Sequence, residues 1–167
     1  MNSNAPGRLH SLRLDAEVKA ELLETTCWAD QFGFAELKSL SMPMQVYRAE
    51  AGDLIVEEGE LESFLCLVIR GAVEIFKVDL NGQRKTIARI GPGKTFGEMA
   101  LIDGRPRSAS VRSSGESTLM ILTAEGLASL SEDKPRLALQ FVMMIARDLS
   151  SRLRRTSGML VDYIGSD

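Results

Sequence analysis

From Met42 to Leu122 the chain is written as short apolar stretches cut at close intervals by glycine-bearing turns. Few folds accept such a pattern. Met44 to Arg48, Leu54-Ile55-Val56, Phe64 to Ile69, Val73 to Leu80, Arg84 to Ile90 and Leu119 to Leu122 have strand length. Gly52-Asp53, Gly59-Glu60, Gly71, Asn81-Gly82 and Ser114-Gly115 punctuate them. About eight short strands at this spacing predict an all-β sandwich or roll. Phe64 to Ile69 is apolar without a break, as expected of a strand buried on both faces. Val73 to Leu80 changes phase: Val73 and Ile75 share one face, and Phe76, Val78 and Leu80 the other. A bulge near Phe76, or burial on both sides, would account for it. Asn81-Gly82 is the strongest hairpin signal, because both residue types tolerate positive φ.

Helical patterns flank this region. Asp15 is suited to cap a helix through Val18, Leu22 and Leu23 that stops at Thr25-Thr26. A second short helix follows around Leu37 and Leu40, and Trp28, Phe32 and Phe34 are expected as core contacts between these helices and the sheets. After the strands, Thr123 resembles an N-cap for a helix through Leu127 and Leu130, and Pro135 restarts the chain as a first-turn proline does. From there to Ile164 the sequence is helical in character, with Gly158 as its weak point. Val142, Ile145, Leu149, Leu153, Leu160 and Ile164 recur at three- and four-residue spacing. That stripe suits a dimer seam and packing against the chain's own roll equally. The expected organisation is a flexible arm over 1–13, an N-terminal helical bundle over 14–41, a β-roll over 42–123, and C-terminal helices over 124–167 acting as lid or dimerisation element.

Composition removes several function classes. The chain has 167 residues, 44% hydrophobic, enough for one domain with an accessory element. No apolar run approaches the roughly 20 residues that cross a bilayer. Met1 to Leu12 lacks the apolar segment and cleavage site of a secretion signal, so no membrane association and a cytoplasmic location are expected. His10 is the single histidine, and the two cysteines, Cys27 and Cys66, have no metal-type partners nearby, so no metal centre or cofactor is expected. A net charge of −3 argues against broad nucleic-acid binding. There is no nucleophile–base pair, acidic dyad or Walker-type lysine loop, so an enzyme is not expected.

One stretch carries chemistry instead. After the Gly91-Pro92-Gly93 turn, Gly97 permits close backbone approach, and Glu98 to Leu101 is long enough for one helical turn whose free amides attract an anion. Gly104 and Pro106 punctuate a tight loop that returns Arg107, followed by an alternating strand Ser108-Ala109-Ser110-Val111. An anion-binding turn, a guanidinium fork and a carboxylate thus lie within sixteen residues of one another.

This stretch resembles the phosphate-binding cassette of cyclic-nucleotide-binding domains, written F-G-E-x-A-L, a short gap, then R-x-A-x-V. Phe96, Gly97, Glu98, Ala100, Leu101, Arg107, Ala109 and Val111 meet every fixed letter. The resemblance implies a double-stranded β-helix, or jelly-roll-like β-roll, mainly β with flanking helices. It implies a cyclic nucleotide as ligand, its phosphate held by Arg107, Ser108 and the amides of Met99 and Ala100. The ribose would lie against Gly97 and Glu98. The base would meet Arg152, Leu153 and Ala109, although Arg152 also reads as part of a solvated basic face with Arg147, Arg154 and Arg155. Ser108 follows the cassette arginine, as in bacterial cyclic-AMP regulators, which favours cAMP over cGMP. The expected output is a stand-alone sensor that signals occupancy to a regulatory partner protein through the C-terminal helix, with a possible homodimer through that helix and no direct DNA binding. Two other readings stay open: a truncated Crp/Fnr-type transcription regulator, and a non-binding roll used for assembly.

Overall fold

The structure is a computed structural model that describes residues 9–164, the last three in backbone only. The chain divides into two compact units, Met1–Ser129 and Leu130–Asp167.

The first unit holds nine strands among its described residues, in two antiparallel sheets. One has the order β1 (His10–Leu12), β2 (Gln45–Ala49), β9 (Ser117–Thr123), β4 (Phe64–Arg70), β7 (Thr95–Phe96). The other runs β3 (Leu54–Val56), β8 (Ser110–Ser113), β5 (Val73–Val78), β6 (Arg84–Ile90). From β2 to β9 the chain passes from one sheet to the other at every step but one, the β5–β6 hairpin. This winding is the expected double-stranded roll.

The unbroken apolar run of β4 has the predicted cause. Phe64, Cys66 and Val68 project into the roll with Val73, Val111, Leu119 and Ile121, while Leu65, Leu67 and Ile69, on the reverse face, are also buried. Burial pushes the Cys66 thiol up, as befits a small apolar core residue. The phase change in β5 reflects burial on both of its faces, one of the two causes expected. The register does shift between Ile75 and Phe76, but the extra residue is Ile87 on β6. Thus β5 keeps its alternation, and Phe76 falls on the outer face. It is nevertheless buried, because the guanidinium of Arg84 lies 4.4 Å and that of Arg112 5.7 Å from its ring centroid. Beside it the buried Glu74 carboxylate accepts from Arg112 Nε at 2.7 Å and from the Thr86 hydroxyl.

The β5–β6 turn also departs from a two-residue Asn-Gly hairpin. Asp79 accepts at its carbonyl from Gly82 N at 2.9 Å and at its carboxylate from Asn81 N and Gln83 N. Only Gly82 adopts positive φ. This is a wider loop in which the aspartate side chain supplies what a second left-handed residue would have supplied.

At the N-terminal side, α1 (Ala16–Glu24) begins where Asp15 accepts from Val18 N at 2.9 Å and ends at Thr25, as the capping signals require. Cys27–Asp30 form a 3-10 turn, and α2 (Phe34–Ser41) follows. The two helices are tied by Lys19, whose buried ammonium donates to the Met42 and Met44 carbonyls, and by Ser41 Oγ donating to Ala16 O. Trp28 and Phe32 are buried as expected, but Phe34 is half exposed because it begins a helix with its side chain outside the packed face. The flexible arm assigned to 1–13 requires a correction: His10–Leu12 pair with Val46–Arg48. All three are exposed, so no alternating apolar pattern marks the strand, and the segment's apolar anchor is Leu9 just before it, packed against the core. Residues 1–8 lie outside the described residues.

The helix α4 (Ala124–Asp133) begins with Gly126 N donating to Thr123 Oγ1 at 3.1 Å, the cap read from sequence, and spans the division between the units. In the second unit α5 (Pro135–Ile164) runs unbroken through Gly158. Its apolar stripe is not uniform: Ile145 is buried, whereas Val142, Leu153 and Leu160 are exposed. Phe141 and Met144, absent from the expected stripe, are buried. The Ile164 side chain lies outside the described residues.

Candidate functional site

The cassette folds as a hinge between sheets. β7 delivers Phe96 into the core, and Gly97 follows at φ 80°, a left-handed conformation that turns the chain into α3 (Glu98–Asp103). That helix is two residues longer than the single turn expected, and stops at Gly104, also left-handed. Its first amides have no acceptor within so short a helix. Glu98 and Ala100 are buried, whereas Met99 is exposed.

The chain then returns through Arg105 and Pro106 to Arg107, which is only 4% exposed. The strand expected over Ser108 to Val111 begins at Ser110 instead, so Ser108 and Ala109 lie on an irregular segment. The cause is local. Arg107 is paired by its backbone outside the sheet, its amide donating to Glu60 O and its carbonyl accepting from Gly59 N, both at 2.9 Å. That turn between β3 and β4 clamps the main chain of Arg107 before β8 begins.

The guanidinium is clamped as well. Nη1 donates to Phe64 O at 2.9 Å and to Gly97 O at 3.1 Å, and the guanidinium carbon lies 4.1 Å from the Phe64 ring centroid. The Gly97 carbonyl also accepts from Leu101 N at 3.4 Å, so the start of α3 and the arginine share one acceptor. Nε and Nη2 of Arg107 are buried and have no hydrogen-bond partner among the described residues. Burial lowers the guanidinium's pKa from its ordinary value, opposed by the negative charges of Glu62, Glu60 and Glu98. A buried cation with an unused donor edge is an arrangement complementary to an anion with two oxygens to offer.

Gly97 and Arg107 are therefore in direct contact, and Glu98, Met99 and Ala100 follow on the same turn. Arg152 and Leu153 belong to the second unit, where Arg152 bonds Asp148 one helical turn earlier at 2.6 Å and Leu153 is exposed. Sequence reasoning placed Phe64 in a buried strand and Gly59-Glu60 at a turn, but missed the contacts both make with Arg107. Phe64 reads as plain core in an apolar run, and backbone acceptors leave no trace in side-chain identity. Among the described residues no cluster of three or more His, Cys, Asp or Glu is placed to hold a metal, and no helix is long and apolar enough to cross a membrane.

Fold and cassette together define a β-roll with a buried guanidinium clamped at its corner. The family model of the cyclic nucleotide-binding domain matches residues 47–134, and the chain belongs to that family. It is similar to the cyclic AMP receptor protein of Thermus thermophilus, 38% identical over 59% of this chain and 45% of the relative. It is also similar to the CRP-like cAMP-activated global transcriptional regulator of Mycobacterium tuberculosis, 29% identical over 78% of this chain and 57% of the relative. The chain thus spans about half the length of the curated relatives it matches. A crystal structure of a cyclic nucleotide-binding domain from Methylobacillus flagellatus superposes with a TM-score of 0.83 at 26% identity, covering 98% of this chain and 96% of that one.

Proposed function

We propose that this chain binds a cyclic nucleotide, cyclic AMP in preference to cyclic GMP, and reports its occupancy to a partner protein. The observation that carries the reading is the buried Arg107 guanidinium, fixed through Nη1 while its Nε and Nη2 donors stay unused among the described residues. The cyclic phosphate is a monoanion with two exocyclic oxygens, which matches that edge. Ser108 and the amides of Met99 and Ala100 complete the phosphate contacts. Gly97 approaches the ribose, and Glu98 accepts from its 2′-hydroxyl. Ala109, with Arg152 and Leu153 on α5, is assigned to the base.

Cyclic AMP is favoured by Ser108 after the cassette arginine and by two relatives, a cyclic AMP receptor and a cAMP-activated regulator. Signalling follows if the ligand favours one arrangement of the C-terminal helix over another, since only differential affinity shifts such an equilibrium. The exposed Leu153, Met159, Leu160 and Val161 give that helix an apolar surface for a regulatory partner or a second copy. Calorimetric titration with cyclic AMP, cyclic GMP and a cyclic dinucleotide tests the reading. Saturable binding tightest for cyclic AMP is expected, and absence of binding by all three overturns it.

A further inference from the structure

We propose that Phe64 is a positioning residue for Arg107: its ring and its own carbonyl hold the guanidinium so that only the Nε/Nη2 edge is offered to an anion. The inference rests on the cyclic-nucleotide reading and deepens it, naming the residue that sets the geometry of the phosphate contact. Phe64 lies 43 positions before Arg107, at the start of β4 and outside the cassette motif. It is fully buried, its side chain projecting into the roll.

Three constraints converge on one planar group. A guanidinium carries five N–H donors in a rigid fork. The two on Nη1 are used by the Phe64 and Gly97 carbonyls, and the three on Nε and Nη2 have no partner among the described residues. The Phe64 ring, 4.1 Å from the guanidinium carbon, covers one face. Cation–π attraction strengthens when both partners are dry, as they are here. With one edge bonded and one face covered, the side chain cannot swing, and the remaining edge points a fixed way. Arginine loses several rotors on binding unless they are already frozen, so such a clamp raises affinity by removing that ordering from the binding step.

The same contact explains why an aromatic stands here at all. A leucine would fill the core, and its main-chain carbonyl would still accept from Nη1. What it lacks is the flat, electron-rich face. The clamp is therefore separable from mere packing by chemistry that alters the face and leaves the shape.

The test replaces Phe64 with mono-, di- and trifluorinated phenylalanine in the full chain, alongside Phe64→Leu, and titrates each with cyclic AMP. Fluorine drains the ring face in steps at nearly constant shape. The dissociation constant should rise with each fluorine and reach about tenfold for the trifluoro ring and for Phe64→Leu, while the ligand-free melting temperature of the fluorinated chains falls by no more than about 4 degrees as the same contact weakens. Dissociation constants within twofold of wild type across the series overturn the inference. If the unaltered chain binds no cyclic nucleotide, it is the functional reading that falls. The clamp is then decided by the Arg107 Nε–H resonance of the ligand-free protein. A slowly exchanging, ring-shifted signal that Phe64→Leu abolishes upholds the clamp; the same signal in both chains sinks it.

Discussion

A Cβ added to Gly97 would sit 2.6 Å from Arg107 Nη1 and 2.8 Å from the Phe64 carbonyl. The space that a side chain would take at residue 97 is already occupied by the guanidinium and by its acceptor. The glycine in the cassette is thus required twice, once for its left-handed backbone and once for the arginine to reach its seat.

Gly97→Ala follows directly. The positive φ of 80° costs an alanine about 1–2 kcal/mol, and the methyl must displace Arg107 from both of its carbonyl acceptors. Cyclic AMP affinity is expected to fall more than tenfold, with a modest loss of thermal stability, read by calorimetry and by a melting curve on the same sample. Affinity unchanged by the methyl would mean that the arginine does not need its present seat.

Arg107→Met separates binding from folding. The wild-type side chain buries a charge with two nitrogens that bond nothing among the described residues, and replacing such a group by an apolar one of similar volume is often neutral or stabilising. The ligand-free variant should melt at or above the wild-type temperature. Saturating nucleotide adds about 2.7 kcal/mol at a hundredfold excess over the dissociation constant in the wild type, and should add nothing to the variant. Equal ligand-induced shifts in both chains would remove Arg107 from the site.

How far the sequence reveals this molecule can be judged residue by residue. Where a local signal is also a physical requirement, the reading and the structure coincide. Asp15 and Thr123 cap the helices they precede, Pro135 opens the long one, and the two-faced burial of β4 is visible as an unbroken apolar run. Where the decisive partner is distant in the chain or is main chain, no local signal exists. His10–Leu12 join a sheet with all three side chains exposed, and the shift at Ile75 and Phe76 is absorbed by Ile87 on the neighbouring strand. At the site the motif letters mark Gly97, Glu98 and Arg107, but the partners that seat the arginine are a ring and a carbonyl 43 positions earlier.

Acid should weaken the outer face of the four-stranded sheet through Glu74. Its carboxyl is held below the usual range by the Thr86 hydroxyl and then by Arg112. A carboxylate with a depressed pKa in the folded state contributes stability that is present above its unfolded value, near 4.5, and is lost as pH falls through the folded one. Melting temperatures measured from pH 7 to pH 3 should therefore drop on the acid side. Glu74→Gln should lower the plateau at pH 7 and flatten that drop. An acid limb of the same steepness in the variant would assign it to other carboxylates.

Gly71 is the sharpest test of the roll itself, away from the nucleotide site. It stands between β4 and β5 at φ 81°, and a Cβ there would lie 2.4 Å from the Glu116 carbonyl oxygen and 2.8 Å from Ser117 Cα. Those atoms are main chain and cannot swing aside, unlike the tip of a flexible side chain. They belong to the turn into β9, next to Ser113 and Ser117, whose hydroxyls bond each other at 2.8 Å while Ser117 also donates to Ala72 O. Backbone strain and overlap together place the loss for Gly71→Ala at about 3 kcal/mol or more. The melting temperature should fall by about 6–12 degrees. Whatever fraction stays folded should bind cyclic AMP with wild-type affinity, because no bond to Arg107 passes through this corner. A stable variant would mean that β4, β5 and β9 can separate at this corner without loss of the roll.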